Sequence, residues 1–179
     1  MSAVGQSLPK PGLRPFLASD APMLAQIFVA AIQELTGDDY SEAQQEAWAS
    51  AAEDEDAFGK KLAGELTLIA TLQNSPVGFA SLKGADTIDM LYVHPSVAGQ
   101  GVGAMLIDAL EKLAGARGAK ALNVDASDTA LDFFKKRGYI EKYIPHIGQA
   151  LRDILALDEK QVQKCVGNLT TVLEKSRKF

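Results

Sequence analysis

Two hydrophobic rhythms divide the chain. Leu24, Ile27, Phe28, Ala31, Ile32 and Leu35 recur every three or four positions, so they share one face of a helix over 21–36. Ser19-Asp20-Ala21-Pro22 supplies its start, with proline early in the first turn. "TGDDYS" breaks the pattern, Ser41 can cap a second helix, and Trp48 lies on that helix. Beyond the acidic run "EDEDAFGKKL" the rhythm changes. "ELTLIATLQ" and "PVGFASLK" read as strands joined by a turn at Asn74-Ser75-Pro76, and "DTIDMLYV" follows as a third after Gly84-Ala85. Helical spacing returns at Leu106, Ala109, Leu110 and Leu113; "RGAKALNVDAS" is then a strand, and "DTALDFFKKR" a helix closed by Gly138. "YIEKYIPHI" and "ALRDILALD", around Gly148-Gln149, read as a terminal hairpin. Val162, Val166, Leu169 and Val172 read as a last helix.

With "LRPFL" as a short first strand, the predicted order is β-α-α-β-β-β-α-β-α-β-β-α, a mixed sheet with helices in one domain. Residues 1–12, rich in Gly, Pro and Ser, form a flexible lead-in; 13–158 form the domain; 159–179 form a helical extension. That extension packs on the domain or on a partner, and a homodimer is one assembly it would serve.

Composition narrows the function. A length of 179 residues, 47% apolar and 23% charged, fits one soluble globular domain. The net charge of −5 argues against a general nucleic-acid binder. Cys165 is the single cysteine and His94 and His146 the two histidines, so neither a disulfide framework nor a thiolate or histidine metal site is expected. No apolar run approaches membrane-spanning length and the start of the chain lacks the marks of a signal peptide, so no membrane association is expected and the cytoplasm is the expected location.

The chemistry concentrates at "YVHPSVAGQGVGAMLIDAL", where Gly99, Gly101 and Gly103 alternate directly ahead of a helix. Three readings compete. One is a glycine-rich loop without a ligand. Another is a dinucleotide fingerprint, since Gly99 to Ala104 satisfies G-x-G-x-x-A and Asp125 lies at a suitable distance downstream. His94 to Val97, however, separate the glycines from the strand, and the hairpin downstream does not suit a doubly wound domain. The third is an anion cradle, in which loop and helix N-terminal amides receive a pyrophosphate.

"LYVHPSVAGQGVGAMLIDALEKLA" resembles the acetyl-CoA-binding motif of the GNAT superfamily of N-acetyltransferases, and "ASDTALDFFKKRGY" is similar to that family's A-S-x-N-A-x-x-F-Y-x-x-x-G-F segment. The resemblance covers about residues 13–158. It implies an α/β fold whose mostly antiparallel sheet splays between its fourth and fifth strands, with helices on both faces. It also implies acetyl-CoA as co-substrate and no metal. The reaction is direct attack of a primary amine, on a small molecule or a peptide, within a ternary complex. The alternative is a non-catalytic acyl-CoA sensor or interaction domain.

By this resemblance, main-chain groups of Leu91, Tyr92 and Val93 hold the pantetheine arm, with an N–H meeting the developing oxyanion. Ala98, Gly99, Gln100, Gly101, Val102, Gly103 and Ala104 cradle the phosphates. Thr129 stands at the family's Asn, and Arg137, near Lys135 and Lys136, adds positive charge. Two departures stand out. Ala98 replaces an Arg or Gln, and Phe134 replaces the Tyr that protonates the departing thiolate. A thiol of pKa about 8.5 leaves tolerably unaided, with water or Tyr143 as proton sources. Asp89, placed on the face of Leu91 by the period of two, is the first candidate base, against a solvent-facing role. Tyr40 and Trp48 are candidate walls of an acceptor pocket, against simple packing. His94 is expected to pack its loop and Cys165 to join the core. Ten acids and no Lys or Arg between Pro15 and Gly59 form a solvated face or a cation-attracting rim.

Overall fold

The computed structural model describes residues 9–142 and 171–176. The first helix, α1 (Ala21–Leu35), carries Pro22 in its first turn and buries Leu24, Ile27, Phe28, Ala31 and Ile32, the predicted stripe. Helix α2 (Glu42–Ala49) starts at Ser41, whose hydroxyl accepts the Gln44 amide while the Gln44 side chain reaches back. A third helix, α3 (Glu55–Ala63), occupies the acidic run that the periodicity left unassigned. Asp54 caps it, acids fill its first turn, and Lys60 and Lys61 fill its last.

Four strands precede the glycine stretch: β1 (Gly12–Pro15), β2 (Leu66–Leu72), β3 (Ser75–Lys83) and β4 (Thr87–Val93). The β2–β3 turn is Gln73-Asn74 rather than Asn74-Ser75-Pro76. Both residues have positive φ, 50° and 67°, which is the twist a two-residue hairpin requires. After the glycines come α4 (Val102–Ala116), β5 (Ala121–Ala126), α5 (Asp128–Lys136) capped by Ser127, and the two-residue β6 (Ile140–Glu141).

The end of the chain departs from expectation. Thr171–Ser176 is a strand, β7, where the helical spacing placed a helix. It pairs antiparallel with β5 from Ala121↔Ser176 to Ala126↔Thr171 and also holds β6. Of the four spaced apolar positions only Val172 falls on this strand, and pairing along the edge of β5 decides its structure. The rest of the predicted hairpin and extension, with Tyr143 and Cys165, lies outside the described residues.

Among the described residues seven strands run β1-β2-β3-β4-β5-β7-β6, antiparallel except for β4 and β5. α4 and α5 cover one face, closing a core around Leu106, Ile107, Leu110, Val124 and Phe134. α1, α2 and α3 cover the other, around Phe28, Phe58, Leu62, Ile69 and Phe79. The sheet therefore separates two cores, and the site lies where its middle opens.

Candidate functional site

The β4–β5 ladder is only two pairs long, Thr87↔Asn123 and Ile88↔Val124. Beyond it the strands part. A cleft of about 730 Å³ runs from this crotch to the start of α4. A bulge helps to open it. Ser81 pairs with Met90 and Leu82 with Ile88, so Asp89 has no partner across from it on β3.

The extra residue resets the side-chain alternation. Ile88 packs on the α4 face, and Leu91 and Val93 return to that face. Met90 and Tyr92 pack with Phe28 and Trp48 on the other. Asp89 consequently does not share the face of Leu91. It reaches Lys61 on α3, with Nζ to Oδ2 at 2.6 Å, and lines the crotch. Lys61 also meets Glu65 at 3.2 Å, and Ser81 donates to Glu65 at 2.5 Å. Burial pulls the Lys61 ammonium down, but its bonds to Asp89 and Glu65 prevail and raise its pKa. Asp89 thus enters the cleft as half of an ion pair.

At the other end of the cleft, Pro95–Val97 form a single 3-10 turn after β4. His94 closes it, its Nδ1 accepting the Ser96 amide at 3.2 Å, so this histidine organises the loop as expected. Gly99 and Gly101 both take left-handed backbone, φ 74° and 84°, and a side chain added at either would meet nothing within 4 Å. Gly101 is the N-cap of α4 and offers no side-chain acceptor. The amides of the first turn consequently lack a side-chain acceptor and lie open at the helix's positive end. This open, amide-lined mouth fits a pyrophosphate.

Most predicted residues meet in this one cleft. Leu91, Tyr92, Val93, Ala98, Gly99, Gly101, Gly103, Ala104, Thr129 and Phe134 line it together with Asp89 and Trp48. Gln100 instead turns back to the Ser96 carbonyl at 3.0 Å, and Val102 is buried in the core. Arg137 is not at the cradle. Its guanidinium bonds Asp108 and approaches Glu111 at 3.9 Å, about two turns along α4 from the helix start. Lys135 likewise pairs with Glu141 at 2.5 Å. Tertiary ion pairs, absent from any local pattern, hold both away.

The side of the cleft toward α1 and α2 is aromatic. Trp48 stands between Tyr40 and Tyr92, with ring centroids 5.5 and 6.3 Å away. Burial pushes the Tyr92 hydroxyl pKa far up, only partly offset by the Trp48 indole, so that hydroxyl stays protonated. Phe134 packs edge-on against Phe133 and Tyr139, each at 5.1 Å. Tyr40 does not line the cleft; it straps it. Its hydroxyl accepts the Asp128 amide at 2.9 Å, and Asp39 accepts the Thr129 hydroxyl proton at 2.7 Å. The α1–α2 connection is thereby tied to the start of α5. Lys61, Asp39 and this strap were missed in the sequence because contacts across such separations leave no local signal.

Comparisons with known proteins bear on the family and the fold. A family model described as an acetyltransferase (GNAT) domain matches residues 36–148. An Escherichia coli K12 protein named as an uncharacterized N-acetyltransferase, YafP, is 35% identical over 127 residues, 71% of this chain and 79% of its own. A crystal structure from Rhodopseudomonas palustris, described as a GCN5-related N-acetyltransferase: aminotransferase, class-II, is 55% identical, with a TM-score of 0.79 over 97% of this chain and 100% of that one. The PaiA N-acetyltransferase of Thermoplasma acidophilum, solved in complex with coenzyme A, shares the fold at a TM-score of 0.70 and 15% identity, covering 94% and 99% of the two chains.

Proposed function

The chain belongs to the GNAT acetyltransferase family, and from that premise we propose that it moves an acetyl group from acetyl-CoA to a primary amine by direct attack in a ternary complex. One observation carries the reading. The parted β4–β5 crotch and the uncapped start of α4 open into the same cleft, so a thioester at one end and its phosphates at the other are both served.

Each part of the chain then has a task. The amides of Gly99 and of Gly101 to Ala104 hold the pyrophosphate, while that of Gln100 stays with the Val97 carbonyl. The β4 backbone past the bulge, no longer paired to β5, holds the pantetheine arm as a strand would and presents an N–H to the charge developing on the thioester oxygen. A donor so placed contributes about 10²–10³-fold in rate. Thr129, its proton given to Asp39, keeps lone pairs to accept an amide N–H of the arm. Trp48 and the apolar side of α1 keep water from the acceptor's path. Phe134 brings no hydroxyl, and the thiolate leaves without a tyrosine at that position.

The test is thermal. Acetyl-CoA at 100-fold its Kd stabilises the folded chain by about 2.7 kcal/mol and raises its melting temperature, while NAD does not. A melt that moves with NAD and not with acetyl-CoA overturns the reading. Steady coenzyme A release with added amines separates transfer from simple acyl-CoA sensing.

A further inference from the structure

Asp125 and Asp89 both line the crotch. The ladder ends at Ile88↔Val124, and these aspartates are the next residue on each strand. Leu122, Val124 and Ala126 point into the core on the α4 face, so the alternation turns Asp125 to the opposite face. There it lines the cleft together with Leu35, Thr36, Trp48 and Asp89. The two carboxylates differ in one respect. Asp89 is claimed by Lys61 at 2.6 Å, and an incoming ammonium would meet that charge. Among the described residues Asp125 makes no ion pair or side-chain hydrogen bond, and it is exposed to the cleft.

We propose that Asp125 is the carboxylate that receives the acceptor's ammonium and takes its proton, a role that rests on the transferase reading above. The acceptor enters as R–NH3⁺ and hydrogen-bonds to Asp125. One proton passes to the carboxylate and on to water, leaving R–NH2. The nitrogen lone pair forms the bond to the acetyl carbon, and the carbon–sulfur bond breaks toward sulfur. A second proton from nitrogen ends on the coenzyme A thiolate, giving R–NH–COCH3 and the free thiol. The stem that carries the ammonium is apolar, because Ile32, Leu35, Trp48 and Met90 wall this part of the cleft.

The probes are 2-phenylethylamine, an Nα-blocked lysine amide and spermidine, assayed by coenzyme A release under saturating acetyl-CoA. With the faster of the first two, Asp125→Asn is expected to lower kcat/KM for the amine about 10²-fold, and Asp125→Glu to restore part of it. Asp89→Asn is expected to lose less. The acetyl-CoA melting shift should be the same in all three variants, which also shows that they fold. Turnover by Asp125→Asn like that of the unaltered chain overturns the assignment while leaving the transferase reading intact. A bound acetyl-CoA with no release from any probe counts against it equally, and spermidine outpacing both other amines tenfold overturns the apolar stem. No acetyl-CoA shift in the unaltered chain sinks the transferase reading itself.

Discussion

Gly101 joins two requirements at one position, a left-handed backbone and room in front of it. The two are separable. Gly101→Asn tolerates the conformation and adds no charge, so it should fold and keep much of the acetyl-CoA melting shift. Gly101→Glu sets a carboxylate beside the phosphates and should abolish the shift; retention would place the cradle elsewhere. Phe134 gives a second expectation. With a thiol as leaving group, Phe134→Tyr should change the chemical step less than about tenfold, read in single-turnover acetyl transfer. A third concerns acid stability. Asp20 is buried, and Arg14 bonds both of its oxygens at 2.7 Å. That hydrogen bonding, with the Leu17 amide, outweighs burial and lowers its pKa. A depressed folded-state value contributes stability above the unfolded pKa of about 3.9, lost as pH falls through the folded value. Arg14→Met should therefore destabilise the chain near neutral pH and flatten its acid-limb loss in urea titrations.

Elements show what the sequence made legible and what it did not. The helix stripe of α1, the capped start of α2 and the glycines ahead of α4 stand where the periodicity and capping residues put them. Helix α3 went unread although Asp54, the acids after it and the closing lysines are helix signals, because its apolar stripe is short: Phe58 and Leu62. The bulge at Asp89 has no such marker. Neither Gly nor Pro announces it, and one inserted residue moved the candidate base to the other face. The strap likewise joins residues 88 and 90 positions apart. Tyr40→Phe and Asp39→Ala should each cost about 0.5–1.5 kcal/mol. Because either bond alone holds the connection in place, the double variant should lose at least about 0.5 kcal/mol more than the sum, measured as a double-mutant cycle in urea.

At the scale of the whole molecule, the sheet keeps two apolar cores apart and opens at its centre, so the cleft is walled by members of both, Ile32 from one and Ile88, Val124 and Phe134 from the other. The place of β7 adds a constraint in time. Among the described residues β6 pairs with β7 alone and β5 is paired on that side by β7, yet β6 (Ile140–Glu141) and β5 (Ala121–Ala126) both leave the ribosome well before β7 (Thr171–Ser176), β5 the earlier of the two. At about 5–20 residues per second, that is a delay of a few seconds during synthesis. Through that interval β5 offers an unpaired edge, the kind of surface that recruits other chains. Nascent chains arrested with residue 142 emerged should remain protease-sensitive and bind holdase chaperones, and emergence of residue 176 should end both. Protection gained before that point would show that the sheet closes without its last strand.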